Sequence, residues 1–128
     1  MLRRSALVAL CVWLALVQGC RHQSESSLNL TLAHEVSPHP PRVGQVTITL
    51  TLTDTSATRV TGARMALEGN MTHPGMVPVF ADARETEPGR YQSSMELSMA
   101  GDWHVLVHVS LTDGRKFDRQ FEIKEVKQ

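Results

Sequence analysis

Apolar residues recur at every second position along most of this chain, and that period narrows its folds more than any other feature. In "QVTITLTL", residues 45–52, Val46, Ile48, Leu50 and Leu52 share one face and threonines occupy the other. Successive side chains of a strand point to opposite faces, so the stretch predicts a half-buried strand. Leu28, Leu30 and Leu32 alternate with Asn29, Thr31 and Ala33 in the same way. Residues 34–44 carry Pro38, Pro40 and Pro41, which predicts a loop or an edge crossing. A strand is expected over residues 60–68, with Ala63, Met65 and Leu67 on one face, and a short one over 77–83. Tyr91, Ser93, Met95, Leu97 and Met99 share a face in the next strand, which predicts that both methionines are core. Trp103, Val105, Val107, Val109 and Leu111 share a face in the one after, with Trp103 as a buried structural residue. Phe121 and Ile123 fit the inward face of the last strand, and Phe117 joins them if no bulge intervenes.

Turn chemistry separates these runs. Asp54-Thr55-Ser56-Ala57, Glu87-Pro88-Gly89, Ala100-Gly101-Asp102 and above all Asp113-Gly114 mark reversals. About seven short strands with no helical period predict an all-β chain, an immunoglobulin-like β-sandwich.

The first residues follow a different rule. Arg3 and Arg4 precede an apolar run over 5–17, the length of a signal-peptide core and short for a membrane span. The run ends in Val17-Gln18-Gly19-Cys20, which resembles the bacterial lipobox, with Gln18 as its departure. That resemblance implies cleavage before Cys20 and lipidation of its thiol; an ordinary secretory signal is the alternative. The expected organisation is a signal helix over 1–19, lipidated Cys20 with a polar tether over 20–27, and one domain over 28–128. Cys11 leaves with the signal, so the exported domain has neither disulfide nor free thiol and depends on its core. Taking Arg3 and Arg4 from 13 basic residues leaves 11 against 13 acidic, a net of −2. These charges are scattered, which argues against nucleic acid as a partner.

Several segments together resemble the YtkA-like domain, related to FixH-like proteins. They are a Pro-rich lead-in to Gly44, an alternating strand, and Val60-Thr61-Gly62-Ala63. A Met/His segment over 71–76, Gly89-Arg90-Tyr91 and Met99-Ala100-Gly101-Asp102-Trp103 complete the pattern. The similarity covers residues 38–109, and "PGRY" and "SMAGDWHV" at their mutual spacing are its most specific parts. It implies an exported, membrane-associated β-sandwich without catalytic machinery. FixH-like relatives are associated with maturation of copper-containing respiratory oxidases. This chain departs from FixH proper in carrying a lipobox where those proteins keep an uncleaved transmembrane anchor.

The chemistry on offer centres on "GNMTHPGM", residues 69–76. Thioethers are soft ligands that select Cu(I), and imidazole suits copper generally. Met71 and His73 are two apart and can face one point in an extended segment, and Pro74-Gly75 can fold Met76 back beside them. Met99 or His104, which flank Gly101, are the candidates for a fourth ligand. Against this stands the ordinary use of methionine as a flexible core filler, with His73 as a plain loop histidine. His104 and His108 are four apart on one strand face, about 13 Å, too far to share an ion, and predict an outer sheet surface. His34 and His39 lie near the proline loop and His22 in the tether, with no nearby partner in sequence.

Enzyme signatures are missing: no phosphate loop, nucleophile elbow or zinc-protease helix, and Asp102 beside His104 has no nucleophile to serve. The sequence therefore predicts a non-catalytic domain of the cell envelope, held to a membrane by lipid and facing the periplasm or the exterior. Its expected role is copper binding for buffering or delivery. The alternative is a metal-free interaction module or assembly factor for a membrane-protein complex, docking through its loops or a strand edge.

Overall fold

A computed structural model describes residues 29–128, so the expected signal helix, Cys20 and the tether lie outside the described residues. The strands are β1 (Leu30–Ser37), β2 (Gly44–Asp54), β3 (Arg64–Asn70), β4 (Val79–Glu87), β5 (Arg90–Leu97), β6 (Gly101–Ser110) and β7 (Lys116–Val126). All are paired antiparallel in the order β1-β2-β5-β4-β3-β6-β7. β1, β2 and β5 make one wall of a nearly closed sandwich, and β3, β6 and β7 the other. β4 joins them, since Val79 to Ala83 pair with β3 and Arg84 to Glu87 pair with β5.

The period of two builds the interior. Ile48, Leu50 and Leu52 from one wall face Leu67, Trp103, Val105 and Val107 from the other, all essentially without solvent contact. Phe117, Phe121 and Ile123 are buried together, so no bulge separates them. The irregularity falls one step further on. Trp103 pairs with Ile123 but Gly101 pairs with Val126, and Glu125 takes φ of 53° to absorb the extra residue.

Three segments differ from the sequence expectation. β1 continues through His34 to Ser37 because β2 supplies partners to the end, His34 opposite Leu50 and Ser37 opposite Thr47. The proline loop begins only at Pro38. Residues 60–63 are not strand; they cross between the walls, tied by the buried Tyr91, whose hydroxyl donates to Val60 O and accepts from Ala63 N. Burial of that phenol raises its pKa. β4 starts at Val79 and runs on to Glu87, through a charged stretch whose period is obscured by the change of partner and a register shift after Glu85. Met99 also departs from its expected core position: β5 ends at Leu97, and Met99 lies beyond the strand, 43% exposed.

The two outer strands of the sheet do not zip together. They are stitched at three levels. Val43 N donates to Lys127 O at 2.7 Å and Lys127 N to Pro41 O at 3.0 Å, a parallel bridge of Arg42 with Lys127. His34 stacks on Phe121 with ring centroids 4.0 Å apart. Arg119 covers the Phe117 ring and reaches Leu30 O at 3.4 Å.

Candidate metal site

Strand direction decides which loops meet. β3 and β5 both run toward one pole, which we call the upper pole, so residues 71–78 and 98–100 turn there together. Contact confirms it. A Cβ placed on Gly101 would lie 3.0 Å from Met71 Cε, so the glycine at φ +123° leaves room for that methyl group. The Gly101 turn therefore lies at the same end of the sandwich as the Met/His segment.

Along that segment, Met71 continues the β3 alternation inward and is 8% exposed, a member of the core. Pro74 and Gly75 then reverse the chain. Gly75 takes φ of +80°, a conformation that glycine adopts without penalty, and Met76 N donates to His73 O at 3.3 Å. The turn thus brings the Met76 backbone N–H to the His73 carbonyl, while the Met71 side chain packs into the core and that of His73 faces outward. Met76 is half-buried against the core edge and His73 is exposed. Met99 sits across the pole, and its carbonyl accepts the Trp103 indole N–H at 3.0 Å. His104 stands opposite Asn70 and Glu122 on the outer face of β6, the face away from Trp103 and Met71. Its Nδ1 lies 3.4 Å from Glu122 Oε1 and makes no hydrogen bond.

The remaining histidines have partners that lie far off in sequence. His108 is on the outer sheet surface, as expected. Its Nδ1 is 2.7 Å from Asp118 Oδ1 and its Nε2 is 3.7 Å from Glu68 Oε2. The Asp118 hydrogen bond, helped by Glu68, raises its pKa above the ordinary 6.5. His34 takes the inward phase of β1 against Phe121, and burial lowers its pKa. Both pairings join residues on different strands, which no local pattern reports.

Among the described residues no three His, Cys, Asp or Glu side chains are grouped so as to hold a metal ion. The exposed large hydrophobics among the described residues are Val77 at 77%, in this loop, Phe80 at 71%, near the start of β4, and Met99.

The described residues form a two-walled, nearly closed all-β sandwich of seven strands. Residues 25–108 match the YtkA-like family, and the chain belongs to it. No curated protein is significantly similar to it. Among solved structures, murine CRIg is 14% identical with a TM-score of 0.45, over 77% of this chain and 98% of that one. MtrC from Shewanella baltica OS185 is also 14% identical, with a TM-score of 0.46, over 77% of this chain and 22% of that one. Likeness at that level decides nothing about function.

Proposed function

We propose that this YtkA-like domain is a non-catalytic envelope protein, lipid-anchored through Cys20, that binds Cu(I) through Met71, His73 and Met76 for buffering or delivery. One observation carries the reading most directly. The Pro74-Gly75 turn returns Met76 to His73, and Met71 sits at the base of the same loop beside Gly101. Two thioethers and an imidazole on one short loop suit Cu(I). Met99 shares the pole and supplies a fourth sulfur more readily than His104, whose ring lies on the outer sheet face.

The direction of β1 adds an orientation. The strand begins at Leu30 at the lower pole and its eight residues run upward, roughly 26 Å at 3.3 Å each. A lipid on Cys20 would join the domain at the lower pole and leave the methionines facing away from the membrane. That arrangement favours exchange with a soluble donor or acceptor in the periplasm, or outside the cell. The association of FixH-like relatives with copper oxidase maturation is in keeping with delivery.

Competition with a Cu(I) chelator tests the reading. Met71→Leu and Met76→Leu keep bulk but lose the sulfur lone pair, and a buried methionine tolerates the exchange for less than about 1.5 kcal/mol. Wild type is expected to hold Cu(I), each variant to hold it weakly, and His73→Ala to resemble them. Falling pH should also weaken the wild-type site, since a ligating imidazole must be neutral. Equal affinity in wild type and in the triple Met71→Leu/His73→Ala/Met76→Leu protein would remove this loop as a site and favour the metal-free interaction module.

A further inference from the structure

The two walls part where β4 changes partner, and the parting leaves a row of backbone groups unused. β5 pairs with β2 along its whole length, from Arg90 opposite Thr51 to Leu97 opposite Gly44. On its other side it pairs with β4 only at Arg90, Tyr91 and Gln92. Among the described residues, 93–97 have no strand on that side. The upper half of β4 has turned away to β3, with Val79 opposite Gly69 and Ala83 opposite Met65. Every second residue of 93–97 therefore directs an N–H and a C=O into the fork. The outer edges β1 and β7 contrast with this, being stitched by the Lys127 bridge, the His34–Phe121 stack and Arg119. An exposed edge is a pairing template that folded proteins usually cover.

Two further observations point to a ligand in the fork. Its lower part is a cleft of ≈ 430 Å³ between the strands, lined by Thr47, Asp82, Arg84, Gln92, Ser93 and Ser94 among others. Ser93, in phase with Tyr91 and Met95, is only 3% exposed, yet its Oγ has no hydrogen-bond partner among the described residues. A buried hydroxyl without a partner is destabilising, and such groups are rare in native folds. On the opposite lip, Val79, Ala81 and Ala83 take inward positions but stay half-buried, because β5 does not reach across to cover them.

We infer that the fork is a docking site for an extended segment of a partner protein, added as a strand along residues 93–97 of β5. The lining sets its chemistry. Small aliphatic side chains would face Val79, Ala81 and Ala83, and small hydroxyl side chains would face the rim of Thr47, Gln92 and Ser94. Asp82 and Arg84 offset one another in charge, and the exposed Glu96 leaves one carboxylate on the β5 rim, which suits an uncharged segment ending in a basic residue. Main-chain hydrogen bonds supply the affinity and the alternating side chains the selectivity, as in other cases of strand addition. The site uses none of the proposed copper ligands, so it goes beyond the metal reading and stands or falls apart from it.

Amide hydrogen exchange tests it, on metal-free protein with the peptide acetyl-Lys-Thr-Val-Thr-Val-Thr-Lys-amide as probe. In free protein, alternate amides in 93–97 should exchange as fast as exposed ones. Peptide at about ten times its Kd should slow them about tenfold. The same peptide N-methylated at its three central residues should leave them unchanged. Ser93→Ala should make the free domain more resistant to urea, since it removes a buried hydroxyl that has no partner. The inference is overturned if millimolar peptide gives no protection, if the β1 edge is protected equally, or if 93–97 are already slow in free protein. Protection that grows with protein concentration and needs no peptide would overturn it too, by making a second copy of the chain the occupant.

Discussion

Gly69→Ala should destabilise the domain, although alanine suits a strand better than glycine. Gly69 lies in β3 with an ordinary backbone conformation, so the substitution meets no conformational barrier. A Cβ there would stand 2.8 Å from Met95 Sδ and 3.5 Å from both Met95 Cε and Trp103 Cε3. The first distance is far inside contact, so Met95 must move. It has little room, because Met95 is 1% exposed and Trp103 is fully buried behind it. Overpacking of this kind costs about 1–3 kcal/mol. Relief of glycine's backbone entropy offsets about 0.5–1 kcal/mol. The net expectation is a loss of about 1–2 kcal/mol, read as a lower urea midpoint at unchanged slope. Met95→Val in the same chain shortens the obstructing side chain. The double variant should then be more stable than the two single losses predict, by at least about 0.5 kcal/mol. A Gly69→Ala protein as stable as wild type, with no coupling to Met95, would show that β3 does not approach Trp103 as closely as described.

Other expectations follow from the same geometry. Trp103→Ala removes a fully buried ring and its hydrogen bond to Met99 O, and should lower stability by about 3–5 kcal/mol in equilibrium unfolding; a loss under about 1 kcal/mol would contradict its burial. His108 has a raised folded-state pKa, so its pairing with Asp118 stabilises fully below the ordinary 6.5 and fades as pH rises through the folded value. Unfolding midpoints at pH 6 and pH 8.5 should therefore fall further in wild type than in His108→Gln, and an equal fall would show that the Asp118 contact does not form. Cys20→Ser should release the protein from membranes or leave it unprocessed, with no lipid mass shift; unchanged fractionation and mass would remove the anchor.

Local pattern carried most of the wall-forming strands. β2, β5 and β6 alternate because one face of each is buried, and the sequence phase of Trp103 to Val109 is the phase observed. Legibility failed where tertiary pairing overrides local chemistry. His34 and Glu35 look like loop beside three prolines, yet β2 offers them partners. β4 serves two walls in succession, so no single face stays buried and its pattern is half-hidden. Met99 keeps the phase of β5 but lies two residues past its end, and periodicity cannot announce where a strand stops. In the candidate site, the Pro-Gly reversal was legible because turn chemistry is local. The Met71–Gly101 contact and the position of His104 depend on how β3 and β6 pair, which spacing alone does not encode.

The lower reversals and the 71–78 loop are held differently, and the difference bears on why methionines occupy a turn. At the lower pole carboxylates fasten the reversals. Asp54 accepts from Ser56 N and Thr58 N at 2.9 and 3.0 Å, and Asp113 from Arg115 N and Nε at 3.0 and 2.8 Å. Glu85 accepts from Gly62 N at 3.0 Å and Gly89 N at 3.1 Å, tying two connections to β4. Residues 71–78 contain no carboxylate, and their one backbone bond is Met76 N to His73 O. This loop is instead pinned by side-chain packing, Met71 beneath Gly101 and Met76 at the core edge. Segments with few hydrogen bonds open at little free-energy cost, whereas packed thioethers can shift among rotamers without leaving a polar group unpaired. A turn fixed by carboxylates would be rigid and would present hard oxygen donors. In the proposed copper role, a turn fixed by methionine would close around a soft ion using the same side chains that hold it in place.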